Sequence, residues 1–355
     1  MIRRPPRSTP SNSSAASDVY KRQTLNEEDI FEQKERGAIG YKIFMHEPPP
    51  GKEKMMEGLC ITNDLDLMEA LKIVAKTDLP ASIHAEDVSV LKFYKREVVE
   101  RERRRDPLAF YDASPKIAEE IAISKVIAFS RIFNTKVHIA HVSTKEGVDL
   151  IREAKEKGVD VSAETCPHYL LFTKEHLEKL GPYAKVSPPL RTQEDQMALW
   201  SAIRDGTIDM IVSDHAPYRK EEKERGLNDI WLAPSGLPGG ELLGPIVISK
   251  ALEGLISLNE AVEVLSENPS KRFNIYPLKG TISVGSDADI VLIDPKAERK
   301  VDYMEMLTKS KDSALLYHGL RLKGRIVKVF LRGNEVYSNG EITGKPGLGR
   351  FIAPH

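Results

Sequence analysis

Four short apolar runs along this chain of 355 residues each carry one polar residue that a buried strand does not readily accept. Lys42 lies in Ile39-Gly-Tyr-Lys-Ile-Phe-Met45, His84 in Ala81-Ser-Ile-His-Ala85, His141 in Val137-His-Ile-Ala-His-Val142, and Asp214 in Met210-Ile-Val-Ser-Asp214. A lone ammonium in such a strand costs several kcal/mol unless it is neutralised or paired. Any one of the four could be a separately satisfied core residue, because buried polar groups find partners. Lys, His, His and Asp in succession, each near the C-terminal end of a strand-like run, point instead to one metal site at the mouth of a parallel barrel.

The spacing between these runs supports that architecture. A helix start is expected at Thr24–Ile30, with acids in its first turn and Gly37 as a stop. Helical apolar spacing recurs over Asp64–Lys76, over Ser114–Phe133 with Ser114 as N-cap, over Lys145–Lys157 and around Glu194–Arg204. Val159–Glu164 adds a strand, and a long loop is expected from there to Arg191. Strand and helix alternate, which predicts an α/β chain of parallel βα units, a TIM-type (β/α)8 barrel. The run Arg101, Arg103, Arg104, Arg105 reads as a solvated helix face. Beyond Asn268-Pro269 the texture changes to short Val- and Ile-rich strands with Gly, Asp and Asn turns, over Gly280–Asp294 and Gly324–Val336. The expected division is therefore a tail at 1–23, a partial barrel at 24–268 and a C-terminal β module at 269–355.

Composition excludes several classes. Lys and Arg total 52 against 53 Asp and Glu, a net charge of −1, which argues against nucleic acid or a membrane surface as a partner held by bulk charge. No apolar run approaches the roughly 20 residues of a membrane span. Cys60 and Cys166 form neither a disulfide framework nor a C-x-x-C pair, so a reducing cytoplasm is expected. Residues 1–23 are basic, Ser-rich and carry one acid, Asp18. That make-up suits an organellar transit peptide, but its break with the rest of the chain favours a tail unrelated to the fold.

The chemistry available to the four residues is specific. A buried lysine with a lowered pKa can capture carbon dioxide as a carbamate, an anionic group able to bridge two cations. Two histidines can hold one metal, and an aspartate can ligate the other and take a proton from water.

At this point the chain resembles the cyclic amidohydrolases, most closely dihydroorotases, with hydantoinases, dihydropyrimidinases and allantoinases as relatives. The resemblance runs from Thr24 onward. It is carried by Gly40-Tyr-Lys-Ile-Phe-Met45, Ile83-His-Ala-Glu-Asp87, His138-Ile-Ala-His-Val-Ser-Thr144, Ala163-Glu-Thr-Cys-Pro-His-Tyr-Leu170, Ser187-Pro-Pro-Leu-Arg191 and Ser213-Asp-His-Ala-Pro217. Pro234-Ser-Gly-Leu-Pro-Gly-Gly-Glu241 and Val284-Gly-Ser-Asp-Ala-Asp-Ile-Val-Leu292 match as well. The resemblance implies a hydrolase of cyclic amide C–N bonds that interconverts N-carbamoyl-L-aspartate and dihydroorotate in pyrimidine biosynthesis. It implies carbamylated Lys42 as the bridge between two metals, His84 and His141 on one of them, and Asp214 as ligand and general base. Zinc is the default for such ligands. The backbone at Ser187 and near Gly239 would grip the imide edge of the ring, and a homo-oligomer stays open. His215 and His138 are expected to face away from the site, and His168 to be a packed, hydrogen-bonded loop residue.

Two departures bear on function. The family carries His-x-His on its first strand, where it binds the second metal, and this chain has none, so it is expected to be N-terminally truncated, with the first strands missing, and inactive by itself. Dihydroorotases typically have His four positions after the catalytic Asp, where it helps bind a carboxylate; here it is Tyr218. Ser187 stands where dihydroorotases commonly have Asn and hydantoinases have Ser, yet Glu47 stands where hydantoinases place an oxyanion-stabilising Tyr. A hydantoinase, a dihydropyrimidinase, an allantoinase or a non-catalytic scaffold are the alternatives.

Overall fold

The computed structural model describes residues 26–49, 53–54, 56 and 58–354; the segment at 1–23 lies outside them. Five strands, β1 (Tyr41–Phe44), β2 (Ala81–His84), β3 (Val137–Ile139), β4 (Val161–Thr165) and β5 (Met210–Ile211), form one parallel sheet in sequential order. Register runs Phe44 to His84, Ile83 to Ile139, Ala163 to Ile139 and Glu164 to Met210. Helices Asp64–Ala75, Lys116–Phe133, Lys145–Glu156 and Gln193–Arg204 fill the crossovers. The result is an incomplete (β/α) barrel with a separate antiparallel sheet behind it.

Each element has a local cause. Strands β2 to β5 are buried along their whole length, so their apolar residues do not alternate with exposed ones, whereas β1 alternates buried with half-buried residues. The Asn63 and Thr144 side chains cap the helices that start at Asp64 and Lys145. Asn134, at φ 54°, ends the long helix in the left-handed conformation that Asn tolerates.

Three expectations about elements need correction. Ser114 is not the N-cap of helix Lys116–Phe133, where Pro115 stands without a side-chain bond. Its hydroxyl donates instead to Glu86, because a buried carboxylate outbids a helix end that water can satisfy. The long loop after β4 is mostly folded, as helices Pro167–Leu171 and Lys174–Leu180 and a 3-10 turn at Gly181–Ala184. Its short apolar segments lack the length that makes helical periodicity visible. Strand β6 begins only at Ile290 and runs to Lys300, pairing with β7 (Arg321–Leu331), which pairs with β8 (Asn334–Ser338) and then β9 (Glu341–Ile342).

The connection between β6 and β7 returns to the barrel. Val301, Met306, Ala314, Leu316 and Tyr317 join the same hydrophobic core as the five parallel strands. Among the described residues, no helix is long and apolar enough to cross a membrane.

Candidate active site

His84 ends β2, while His141 and Asp214 lie two and three residues beyond β3 and β5. Both of the latter sit at positive φ, 41° for His141 and 42° for Asp214. A non-glycine residue held there costs on the order of 1–2 kcal/mol, and such strain concentrates at functional sites. Lys42 sits lower, level with Ser82 in the register.

The four candidates form one electrostatic cluster. His84 Nδ1 and His141 Nε2 are 2.9 Å apart, and the His141 Nδ1 is buried without a hydrogen-bond partner among the described residues. Burial lowers the Lys42 pKa, opposed by the nearby Glu164 and Asp214 carboxylates. Burial raises Asp214, opposed mainly by Lys42. Burial, with His84 and Lys42 adding to it, brings His141 well below the usual imidazole value, so the ring is neutral and able to ligate a cation.

Behind these residues stands a buried polar network that the sequence reading did not find. Glu86 accepts from His84 Nε2 at 2.7 Å, from the Ser114 hydroxyl, and from Ser187 Oγ at 3.1 Å. Burial works to raise its pKa, but the His84 and Ser114 hydrogen bonds and the Arg191 charge win and hold it at about 2. Ser187 therefore meets the site through its side chain. Glu119 accepts four bonds, from the backbone and hydroxyl of both Ser143 and Thr144. Arg191 lies beside it and donates to Ser114 O and Ser143 Oγ. Glu86, Glu119 and Ser114 all lie in or next to quoted motifs or helix starts, but nothing local distinguishes them from surface residues.

His138 does not turn away from the site. Its ring is buried between Ser162 Oγ at 2.8 Å and Glu164 Oε2 at 2.9 Å, and Glu164 acts directly on Lys42 and Asp214. His168 is packed as expected but not hydrogen-bonded: both ring nitrogens are buried without partners among the described residues, and burial lowers its pKa to about 3. His46, also missed, stands edge-on to His84 with ring centroids 4.6 Å apart.

The loop from Asp214 to Gly240 forms the other wall. His215 Nδ1 accepts from Gly240 N at 3.1 Å, which makes it a brace for the turn that contains Gly239. The Gly239 N–H is committed to Leu237 O at 3.1 Å. A Cβ on Gly239 would come within 3.1 Å of both Ser213 O and the Tyr317 hydroxyl, so only glycine allows this approach. Tyr317 is buried with its hydroxyl unpaired among the described residues, and it reaches this spot from the connection between β6 and β7. Tyr218, four residues past Asp214, packs its ring against Gly236 and lies 5.7 Å from the Lys223 ammonium.

Two buried lysines hold the same loop. Lys185 Nζ donates to Ile230 O and Ala233 O, and Lys223 Nζ to Lys185 O and Pro234 O. Burial, with Lys185 close by, brings Lys223 down from 10.5 to about 7. Between those values the folded protein binds fewer protons than the unfolded chain, so this group makes stability rise with pH over that window. Lys223→Met is expected to flatten the rise by on the order of 2 kcal/mol between pH 7 and 9.5. Urea midpoints at the two pH values check this, and an unchanged slope would exclude a neutralised Lys223.

Metal ligation fits these residues in part. Among the described residues, no three His, Cys, Asp or Glu side chains form a ready cage. Two facing imidazoles with an orphaned buried nitrogen, beside a carboxylate and an amine, are nonetheless a donor set short of one anionic bridge. An unmodified lysine amine is no such bridge, whereas its carbamate is.

This geometry finds its class in known proteins. The chain matches the Amidohydrolase family over residues 5–336 and belongs to it. It is 33% identical over 325 residues to an L-hydantoinase from Paenarthrobacter aurescens, covering 91% of this chain and 69% of that protein. It is 41% identical over 223 residues to a dihydroorotase from Acetivibrio thermocellus, covering 62% of this chain and 51% of that protein. Among solved structures, the L-hydantoinase (dihydropyrimidinase) from Arthrobacter aurescens superimposes with a TM-score of 0.85 at 32% identity, over 92% of this chain and 71% of that one. The protein is a metal-dependent hydrolase of cyclic amide C–N bonds. The long matches favour the hydantoinase branch over the dihydroorotase expected from sequence motifs.

Proposed function

We propose that the protein opens an uncharged cyclic imide or ureide of the hydantoin or dihydropyrimidine type. The observation that carries this reading is the convergence of His84, His141, Lys42 and Asp214 in one electrostatic cluster. Lys42, its pKa lowered by burial, condenses with carbon dioxide: an N–C bond forms, a proton leaves, and the amine becomes a carbamate. The carbamate and Asp214 complete the donor set that His84 and His141 begin, and zinc is the ion that suits it. Two such ions, when bound, polarise the attacked carbonyl and make hydroxide available near neutral pH.

The chain's own groups do the rest. Glu86 orients His84, so the ring presents its other nitrogen to the site. Asp214, raised by burial, takes the proton from the attacking water and delivers it to the leaving ring nitrogen. The ring lies between Ser187 and the turn at Gly239, with Tyr218 covering its far side. Tyr218 offers a phenol where a dihydroorotase would hold a substrate carboxylate with an imidazole.

Glu47, in place of an oxyanion-stabilising Tyr, is the observation that favours the dihydroorotase reading. A zinc-loaded preparation assayed against hydantoin, dihydrouracil, allantoin and dihydroorotate separates the two. The expected kcat/KM for dihydroorotate is at least about tenfold below the best uncharged ring, since a missing charge partner costs more than 1.4 kcal/mol. A preference for dihydroorotate would reverse the assignment.

A further inference from the structure

The arginine run at residues 101–105 takes no part in this chemistry, yet it borders a cavity of about 490 Å³. That volume lies within the roughly 300–1,000 Å³ range of small-molecule sites and is far too large for a bare ion. Lys95, Arg103, Arg104 and Arg105 line it together with Glu100, Asp229 and Trp231. Arg104 is spent on Asp106 and Asp112, at 2.9 and 2.6 Å, and Arg105 is loosely held by Asp229 at 3.4 Å. Lys95 and Arg103 have no carboxylate partner among the described residues.

The floor is built rather than accidental. Trp231 Nε1 donates to Arg104 O at 3.0 Å, and Ile230 N donates to Arg105 O at 3.0 Å, so the indole is fixed to the arginine run. Arg103, just before these two anchors, is at φ 56° with its side chain exposed. Lys95 reaches over the indole, 5.9 Å from the ring centre, and is long enough to trade that face for an anion.

We propose that this cavity binds an organic phosphate carrying a flat ring. The phosphate meets Arg103, Lys95 and Arg105, which can release Asp229 for a dianion, and the ring lies on Trp231.

The chain has only two tryptophans, and Trp200 is buried far along the sequence in another helix, so indole fluorescence reports on the cavity. Titration of the full chain with adenosine 5′-monophosphate is expected to give a saturable change, with calorimetry agreeing. Adenosine alone and inorganic phosphate are expected to bind at least about tenfold more weakly. K95Q/R103Q, exposed positions that leave the fold intact, is expected to weaken the monophosphate by about tenfold or more. Silence in both measurements, equal affinity for inorganic phosphate, or binding undiminished in the double variant would each overturn the site.

Discussion

Asp214→Asn is expected to lower kcat by about 10³-fold in the zinc-loaded protein, within the range of a lost general base. Asn keeps the shape and the hydrogen-bonding reach of the side chain but cannot accept a proton from water. Because the family resemblance assigns Asp214 to the other metal, the His84–His141 pair is expected to keep its own, measured by equilibrium dialysis and elemental analysis. The αL backbone at residue 214 favours Asn as well as Asp, so the turn itself survives. Substantial turnover in the variant would remove Asp214 as the base. Loss of all metal would instead make it a ligand to the same ion as the histidines.

The largest expected effect on stability belongs to Glu119→Ala. This carboxylate is buried, accepts bonds from Ser143 and Thr144, and neighbours the equally buried Arg191. Its removal leaves Arg191 without its close counter-charge and two backbone N–H groups without an acceptor. Breaking a buried pair from one side costs about 3–5 kcal/mol. Arg191→Met combined with Glu119→Ala is expected to cost less than the sum of the two changes, since neither residue then strands the other. Urea midpoints for the two single variants and the double check both points; strict additivity would mean the two charges do not support each other.

These two residues mark how differently the site was written into the chain. Asp214 stands out, because a carboxylate at the end of Met210-Ile-Val-Ser is costly there unless it is paired. Lys42, His84 and His141 do the same in their own apolar runs. Period and placement were legible because a strand covered on both faces leaves its rare polar residues conspicuous. Glu119 and Glu86 were illegible for the opposite reason. A glutamate in the first turn of a helix, or two residues past a strand, is ordinary on the surface, and only packing reveals that both are buried.

His138 and Ser114 carry the same lesson in more detail. Alternation argued that His138 points away from His141, but β3 ends at Ile139 and His141 turns at positive φ, so the strand's period no longer relates the two. Ser114 fits a helix cap by its position, yet a carboxylate 28 residues earlier in the chain claims its hydroxyl. A local rule fails where a buried charge from another element competes for the same group.

The sequence by itself determined the parallel βα order, the polar residues Lys42, His84, His141 and Asp214 as candidates, and the change to an antiparallel sheet toward the C-terminus. Those features rest on short-range periodicity and on the cost of burying a polar group, both readable one segment at a time. Only the tertiary structure decided the Glu86–Ser114–Ser187 and Glu119–Arg191 networks, the arrival of Tyr317 beside Gly239, and the lysine grip on the loop from 223 to 234. Each joins residues tens of positions apart. Such contacts are fixed by which buried donors and acceptors are left to satisfy once the core has closed.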